Sequence, residues 1–103
     1  MAQYSYDRFA KDFPELASKY IDLLEAQRSL KGLDDKTRQL INIGIQTANR
    51  NLRGVKYHAQ MAKKAGATKD EVLGAVVLNL HVRGVGAVLD TIPAALEGFE
   101  GKR

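Results

Sequence analysis

The chain has 103 residues, with 16 Lys and Arg against 12 Asp and Glu, a formal charge of +4, no cysteine, no tryptophan, two prolines and nine glycines. A hydrophobic content of 45% and a charged content of 27% suit a folded globular protein, and halves of so short a chain would bury too little surface to stand apart, so one domain over residues 1–103 is expected. Without cysteine there are no disulfides, thiolate metal ligands, iron–sulfur ligation or thiol redox chemistry, and no apolar run reaches the roughly 20 residues that span a bilayer.

The opening segment, Met1-Ala2-Gln3-Tyr4-Ser5-Tyr6-Asp7, has neither the basic nor the apolar region of a signal peptide, so a soluble cytoplasmic protein without a membrane partner is expected. Helical periodicity then begins. Phe9, Phe13, Leu16, Tyr20, Leu23 and Gln27 follow steps of four and three, with Leu24 widening the stripe. Asp12 is the expected N-cap and Pro14 falls in the first turn, where its missing N–H is harmless. This first helix runs to about Arg28 and stops before Gly32. Asp34 caps a second helix carrying Leu40, Ile41, Ile43, Gly44, Ile45 and Ala48; its length, its cap and the polar insertions Asn42, Gln46 and Asn49 outweigh the strand preference of three isoleucines.

A third helix is expected from about Arg53 to Ala65, with Val55, His58, Ala59, Ala62 and Ala65 on one side and Gly66 as its stop. Thr68-Lys69-Asp70-Glu71 reads as a capping box for a fourth helix carrying Val72, Leu73, Val76, Val77, Leu80 and His81. After Gly84 and Gly86 a fifth helix bears Val85, Val88, Leu89, Ile92, Leu96 and Phe99, with a kink expected at Pro93. The fold class is all-α. Helices three to five are rich in Ala and Gly, which permits close approach. Val72, Leu73, Val76, Val77, Leu78 and Leu80 cannot all face one small core, so a second subunit is expected to bury the remainder and the chain to form a homo-oligomer.

The charge is unevenly spread. Residues 36–69 hold eight bases (Lys36, Arg38, Arg50, Arg53, Lys56, Lys63, Lys64 and Lys69) and no acid, between flanks that are each net −2. Such a block suggests an anionic partner; alternatively it meets the acidic thirds of its own or a neighbouring subunit. Nucleic acid is the poorer match, since Tyr57 is the only aromatic residue between Tyr20 and Phe99 and the basic residues lie on several helix faces.

The chain's two histidines, His58 and His81, belong to no metal-ligand spacing: residues four away are Gly54 and Ala62 for the first, Val77 and Val85 for the second. No metal and no cofactor is expected. Ser5, Ser18 and Ser29 lie far from either His, and Arg83-Gly84-Val85-Gly86 follows no strand, which removes serine-nucleophile and phosphate-loop readings. His58 is the sharper candidate. Partial burial and the neighbouring Arg53 and Lys56 both disfavour imidazolium, leaving a neutral ring able to take a proton near pH 7; the plainer alternative is a hydrogen-bonded structural histidine. Asn51-Leu52-Arg53-Gly54 opens the third helix, where backbone N–H groups with Arg53 and Lys56 could hold a small anion.

From Gly32 onward the order of motifs resembles the carboxymuconolactone decarboxylase family, which includes the alkylhydroperoxidase D-like proteins. The matching pieces are Gly32-Leu33-Asp34-Asp35-Lys36-Thr37-Arg38-Gln39-Leu40-Ile41, Tyr57-His58, Lys64-Ala65-Gly66-Ala67-Thr68-Lys69-Asp70-Glu71-Val72, and Gly84 through Ala95. The resemblance implies an all-helical alkylhydroperoxidase D-like fold that assembles into trimers or hexamers, with a site between helices and near subunit contacts. Peroxidase-type members carry a Glu, then Cys-x-x-Cys, then His; on this chain those positions are Gln39, Asn51, Gly54 and His58, so only the His survives and thiol peroxidase activity is absent. The decarboxylase branch also lacks the Cys pair and keeps the His, but usually has Glu at the place of Gln39 and an acid at the place of Gly54. By that resemblance His58 and Gln39 are the catalytic candidates, and Asn51, Arg53, Gly54 and Lys56 border the substrate.

Overall fold

Asp34 and Thr68 each cap a helix with their side chains. The computed structural model describes residues 4–101, and among them every regular element is a helix. They are α1 (Tyr6–Asp12), α2 (Pro14–Arg28), α3 (Asp35–Ala48), α4 (Leu52–Lys64), α5 (Lys69–Val77), α6 (Leu80–Arg83) and α7 (Val85–Glu100). The chain divides after Gly32 into two compact units.

The first unit is the pair α1 and α2. A single helix capped by Asp12 is expected from the sequence; instead Asp12 closes a short helix that Ser5 caps, and Phe13 is the N-cap of the next. Proline explains the break. Its ring disfavours helical backbone in the preceding residue, and Phe13 sits at φ −135°, ψ 68°. Asp12 accepts from the Tyr4 hydroxyl at 2.7 Å and pairs with Arg8 at 3.4 Å. The rings of Tyr6, Phe9, Phe13 and Tyr20 hold the two helices together, with centroids 5.4–6.1 Å apart, and Tyr6 Oη donates to the Ala17 carbonyl.

In the second unit three caps form as the sequence indicates. Asp34 accepts from the Thr37 N–H at 2.8 Å, Thr68 and Glu71 close a reciprocal capping box, and Gly66 at φ +98° supplies the left-handed residue that ends α4. Lys36 and Glu71, 3.1 Å apart, join the first turns of α3 and α5. The expected fourth helix, however, is interrupted. Asn79 is buried, and its Nδ2 lies 3.2 Å from the Gly44 carbonyl on α3 and within 3.5 Å of those of Ala75 and Val76. The side chain thus competes for the Ala75 carbonyl that the Asn79 N–H would need to continue the helix. That N–H turns to Val76 instead, and the Asn79 carbonyl starts α6 by accepting from Val82 and Arg83. Two interruptions therefore make seven helices where five are expected. Pro93 causes none: it lies on the exposed side of α7, which runs through it.

The core is built of small side chains, with Ile43, Val55, Ala59, Ala62, Val72, Val76 and Ala95 fully buried and Leu40, Ile92 and Phe99 packed against them. Such a core brings helix backbones together. At the crossing of α4 and α7, a Cβ on Gly98 would overlap the Lys56 carbonyl oxygen, lying 2.9 Å from its carbon and 3.1 Å from Ala59 Cβ. Of the apolar residues that could not share one core, Val72 and Val76 are buried while Val77, Leu78 and Leu80 are exposed. Among the described residues no helix is long and apolar enough to cross a membrane.

Two glycine substitutions separate packing from helix propensity. Gly98→Ala is expected to destabilise the fold by about 1–3 kcal/mol through overlap with α4. Gly74→Ala, at an exposed position of α5 with nothing within 4 Å of the added methyl, gains up to about 1 kcal/mol. Urea unfolding of both variants checks the pair; equal effects would contradict the close crossing.

Candidate active site

Everything at the candidate site depends on how α3 reverses into α4. Asn49 leaves α3 with helical backbone, Arg50 turns at φ +52°, and the Asn51 N–H returns to the Gln46 carbonyl at 2.9 Å. The left-handed turn is unfavourable for a residue with a Cβ. It is tied down by Arg50, whose Nη1 lies 3.3 Å from Asp90 on α7. Asn51 then caps α4, its Oδ1 accepting the Gly54 N–H at 3.1 Å. The Asn51 and Gly54 positions therefore meet, but in a cap: one of the leading N–H donors of α4 is already taken.

Antiparallel to α3, α4 brings His58 opposite Gln39. His58 Nδ1 and Gln39 Oε1 are 2.7 Å apart. With the amide oxygen facing the ring, Nδ1 carries the proton and donates, which leaves the Nε2 lone pair outward. Nε2 has no hydrogen-bond partner among the described residues. The ring is half-buried, packed edge-on to Tyr57 with centroids 5.1 Å apart. Burial pushes the His58 pKa below the ordinary imidazole range, so desolvation rather than neighbouring cations keeps the ring neutral.

Arg53 and Lys56 occupy the first turns of α4, Arg53 exposed and Lys56 half-buried with its carbonyl beneath Gly98. The basic block has internal counterparts: Lys36 pairs with Glu71, Arg38 with Asp35 and Arg50 with Asp90. Three of its eight bases thus meet the chain's own acids in these pairs. Two hollows are lined within the first unit, by Asp7, Arg8, Ala10 and Lys11 and by Tyr6, Phe9, Leu16 and Tyr20; neither includes His58. Among the described residues no cluster of three or more His, Asp or Glu could hold a metal ion.

One neighbour escapes the sequence reading. The Gln46 side chain lies over Gly54, its Cδ, Oε1 and Cγ 2.6, 2.7 and 2.8 Å from where a Cβ would stand. The signal that could have found it is spacing: Gln46 follows Gln39 by seven residues, two helical turns, on one stripe of α3.

The family profile described as the carboxymuconolactone decarboxylase family matches residues 14–97. No curated protein and no solved structure matches the chain.

The His58 environment makes stability pH-dependent. Its folded pKa lies below the unfolded value of about 6.5, so the unfolded chain takes up the proton first. The stabilisation due to a neutral His58 is complete above about pH 6.5 and is lost as pH falls toward the depressed value. Replacing His58 with Leu flattens that part of the profile in urea unfolding between pH 7.5 and 5. A C2–H titration by NMR checks the premise, and a His58 midpoint at or above about 6.5 contradicts it.

Proposed function

The chain belongs to the carboxymuconolactone decarboxylase family, and from that premise we propose that it acts on a small anionic carbonyl or lactone acid by proton transfer through His58. The observation that carries this reading is the pair His58 Nδ1–Gln39 Oε1 at 2.7 Å. It holds one ring nitrogen and leaves the other, neutral and unpartnered, to exchange a proton with a carbon beside a carbonyl. In a decarboxylation, departure of carbon dioxide leaves an electron pair delocalised into the carbonyl as an enolate; Nε2, having first taken a proton from water, delivers it to that carbon, and the ring is neutral again. In an isomerisation, the same nitrogen removes and returns the proton. Arg53 and Lys56, with the positive end of α4, supply the attraction for a carboxylate or developing enolate. Gln39 is a positioning residue. Thiol peroxidase chemistry is absent because the chain has no cysteine.

Binding without turnover is the second reading, and one observation favours it: the group behind His58 is a neutral amide, which orients the ring but does not stabilise imidazolium as a carboxylate would.

The exposed apolar residues of the second unit support a homo-oligomer, trimeric or hexameric in keeping with the resemblance. Leu78 is 70% exposed, Val82 and Leu89 64%, and Val85 60%, an unusual concentration for one short stretch of a monomer.

With a panel of lactone and keto acids, His58→Ala is expected to lower turnover by about 10²–10⁴-fold. Gln39→Glu raises the His58 pKa and moves the pH–rate profile upward. Turnover indifferent to His58 sinks the mechanism, and no turnover with intact binding selects the second reading. Light scattering of the 11.4 kDa chain is expected to give three or six copies, and Leu78→Asp with Leu89→Asp to reduce that number; a monomer at micromolar concentration contradicts the assembly.

A further inference from the structure

The two glutamines of α3 have different fates. Gln39 is engaged with His58. Gln46, two turns later on the same stripe, is half-buried, and its side-chain amide has no hydrogen-bond partner among the described residues. Such an amide offers two donors and an acceptor to a ligand or to water. Its position is defined by a missing side chain, because Cγ, Cδ and Oε1 fill the space in which Gly54 would carry a Cβ. Nε2 lies farther from that point than these three atoms. Gly54 in turn lies one helical turn before His58, and a helical side chain leans back over the turn that precedes it. The Gln46 amide therefore lies over bare backbone one turn before His58, on the side toward which a histidine at that position leans.

We propose that Gln46 is a substrate-binding residue of this site: its Nε2–H group donates to a carboxylate or carbonyl oxygen of the small anion held beside His58, and the missing side chain of Gly54 is what lets the amide lie there. This rests on the functional reading of His58 given above and adds a specificity determinant to it. A donor fixed at that point favours an oxygen acceptor on the ligand over an apolar group, because burying the amide against an apolar group would leave it unsatisfied.

The test uses the full chain and muconolactone, an unsaturated γ-lactone bearing an acetate arm, as the probe. Titration is followed in NMR spectra at the His58 ring and at the Gln46 side-chain NH2. The wild type is expected to show both signals moving with one dissociation constant. Gln46→Met keeps the length that covers Gly54 but removes the donors; it should weaken probe binding by about tenfold or more, the usual consequence of losing a hydrogen bond to a charged group. The His58 titration in the free protein should stay unchanged. Gly54→Ala, whose methyl displaces the amide, should weaken binding similarly, and unfolding curves confirm that each variant is folded. If the probe moves the His58 signal but Gln46→Met binds it as well as the wild type, the Gln46 assignment is overturned while the His58 reading stands. If the probe moves neither signal, the reading of the site fails and the assignment falls with it.

Discussion

Glycine on either side of α4 is the constraint from which the second unit follows. At Gly98 the absence of a side chain lets α7 settle directly onto the Lys56 carbonyl, and at Gly54 it lets a side chain of α3 lie against the α4 backbone. The buried face of α4 contributes only Val55, Ala59 and Ala62, so it can approach its neighbours closely. Close packing in turn leaves little freedom to shift or rotate. His58 inherits that rigidity: its backbone belongs to a clamped helix, and one of its ring nitrogens is held from α3. A histidine that must hold one tautomer gains from such a frame, since the orientation is set before any ligand arrives.

Local signals were legible and non-local ones were not. Asp34, Thr68 with Glu71, and Gly66 act within a turn of themselves, and the sequence shows them as plainly as the fold does. Asn79 looks like any polar residue on a helix. Its side chain is held partly by a carbonyl of α3, and no window of neighbouring residues contains that part of the information. Phe13 is an intermediate case. The proline beside it carries the signal, but the aromatic stripe continuing across Phe9, Phe13 and Tyr20 masks the break.

The site shows the same division. His58 stood out by residue type and Gln39 by its place in a motif, and the two meet. Gln46 had only its seven-residue spacing to recommend it, and the reason that spacing matters lies in Gly54 on another helix. The charge distribution left two readings open. Counted along the chain, residues 36–69 form an unbroken basic block. In space, Glu71 and Asp90 come from beyond that block to meet Lys36 and Arg50, and Asp35 meets Arg38 from just before it. Folding mixes charges that the linear order keeps apart.

The stop at Asn79 also bears on how this fold forms and comes apart. The amide that ends α5 lies against the local carbonyls of Ala75 and Val76 and also against one 35 residues earlier, so docking of α3 reinforces the stop. Before docking, the stretch from Lys69 onward is freer to propagate as one longer helix; afterwards it is divided into α5 and α6. A boundary of secondary structure and an act of assembly are here linked. Coupling of that kind disfavours half-formed species, and it lends all-or-none behaviour to a bundle whose individual helices are too short to persist in isolation.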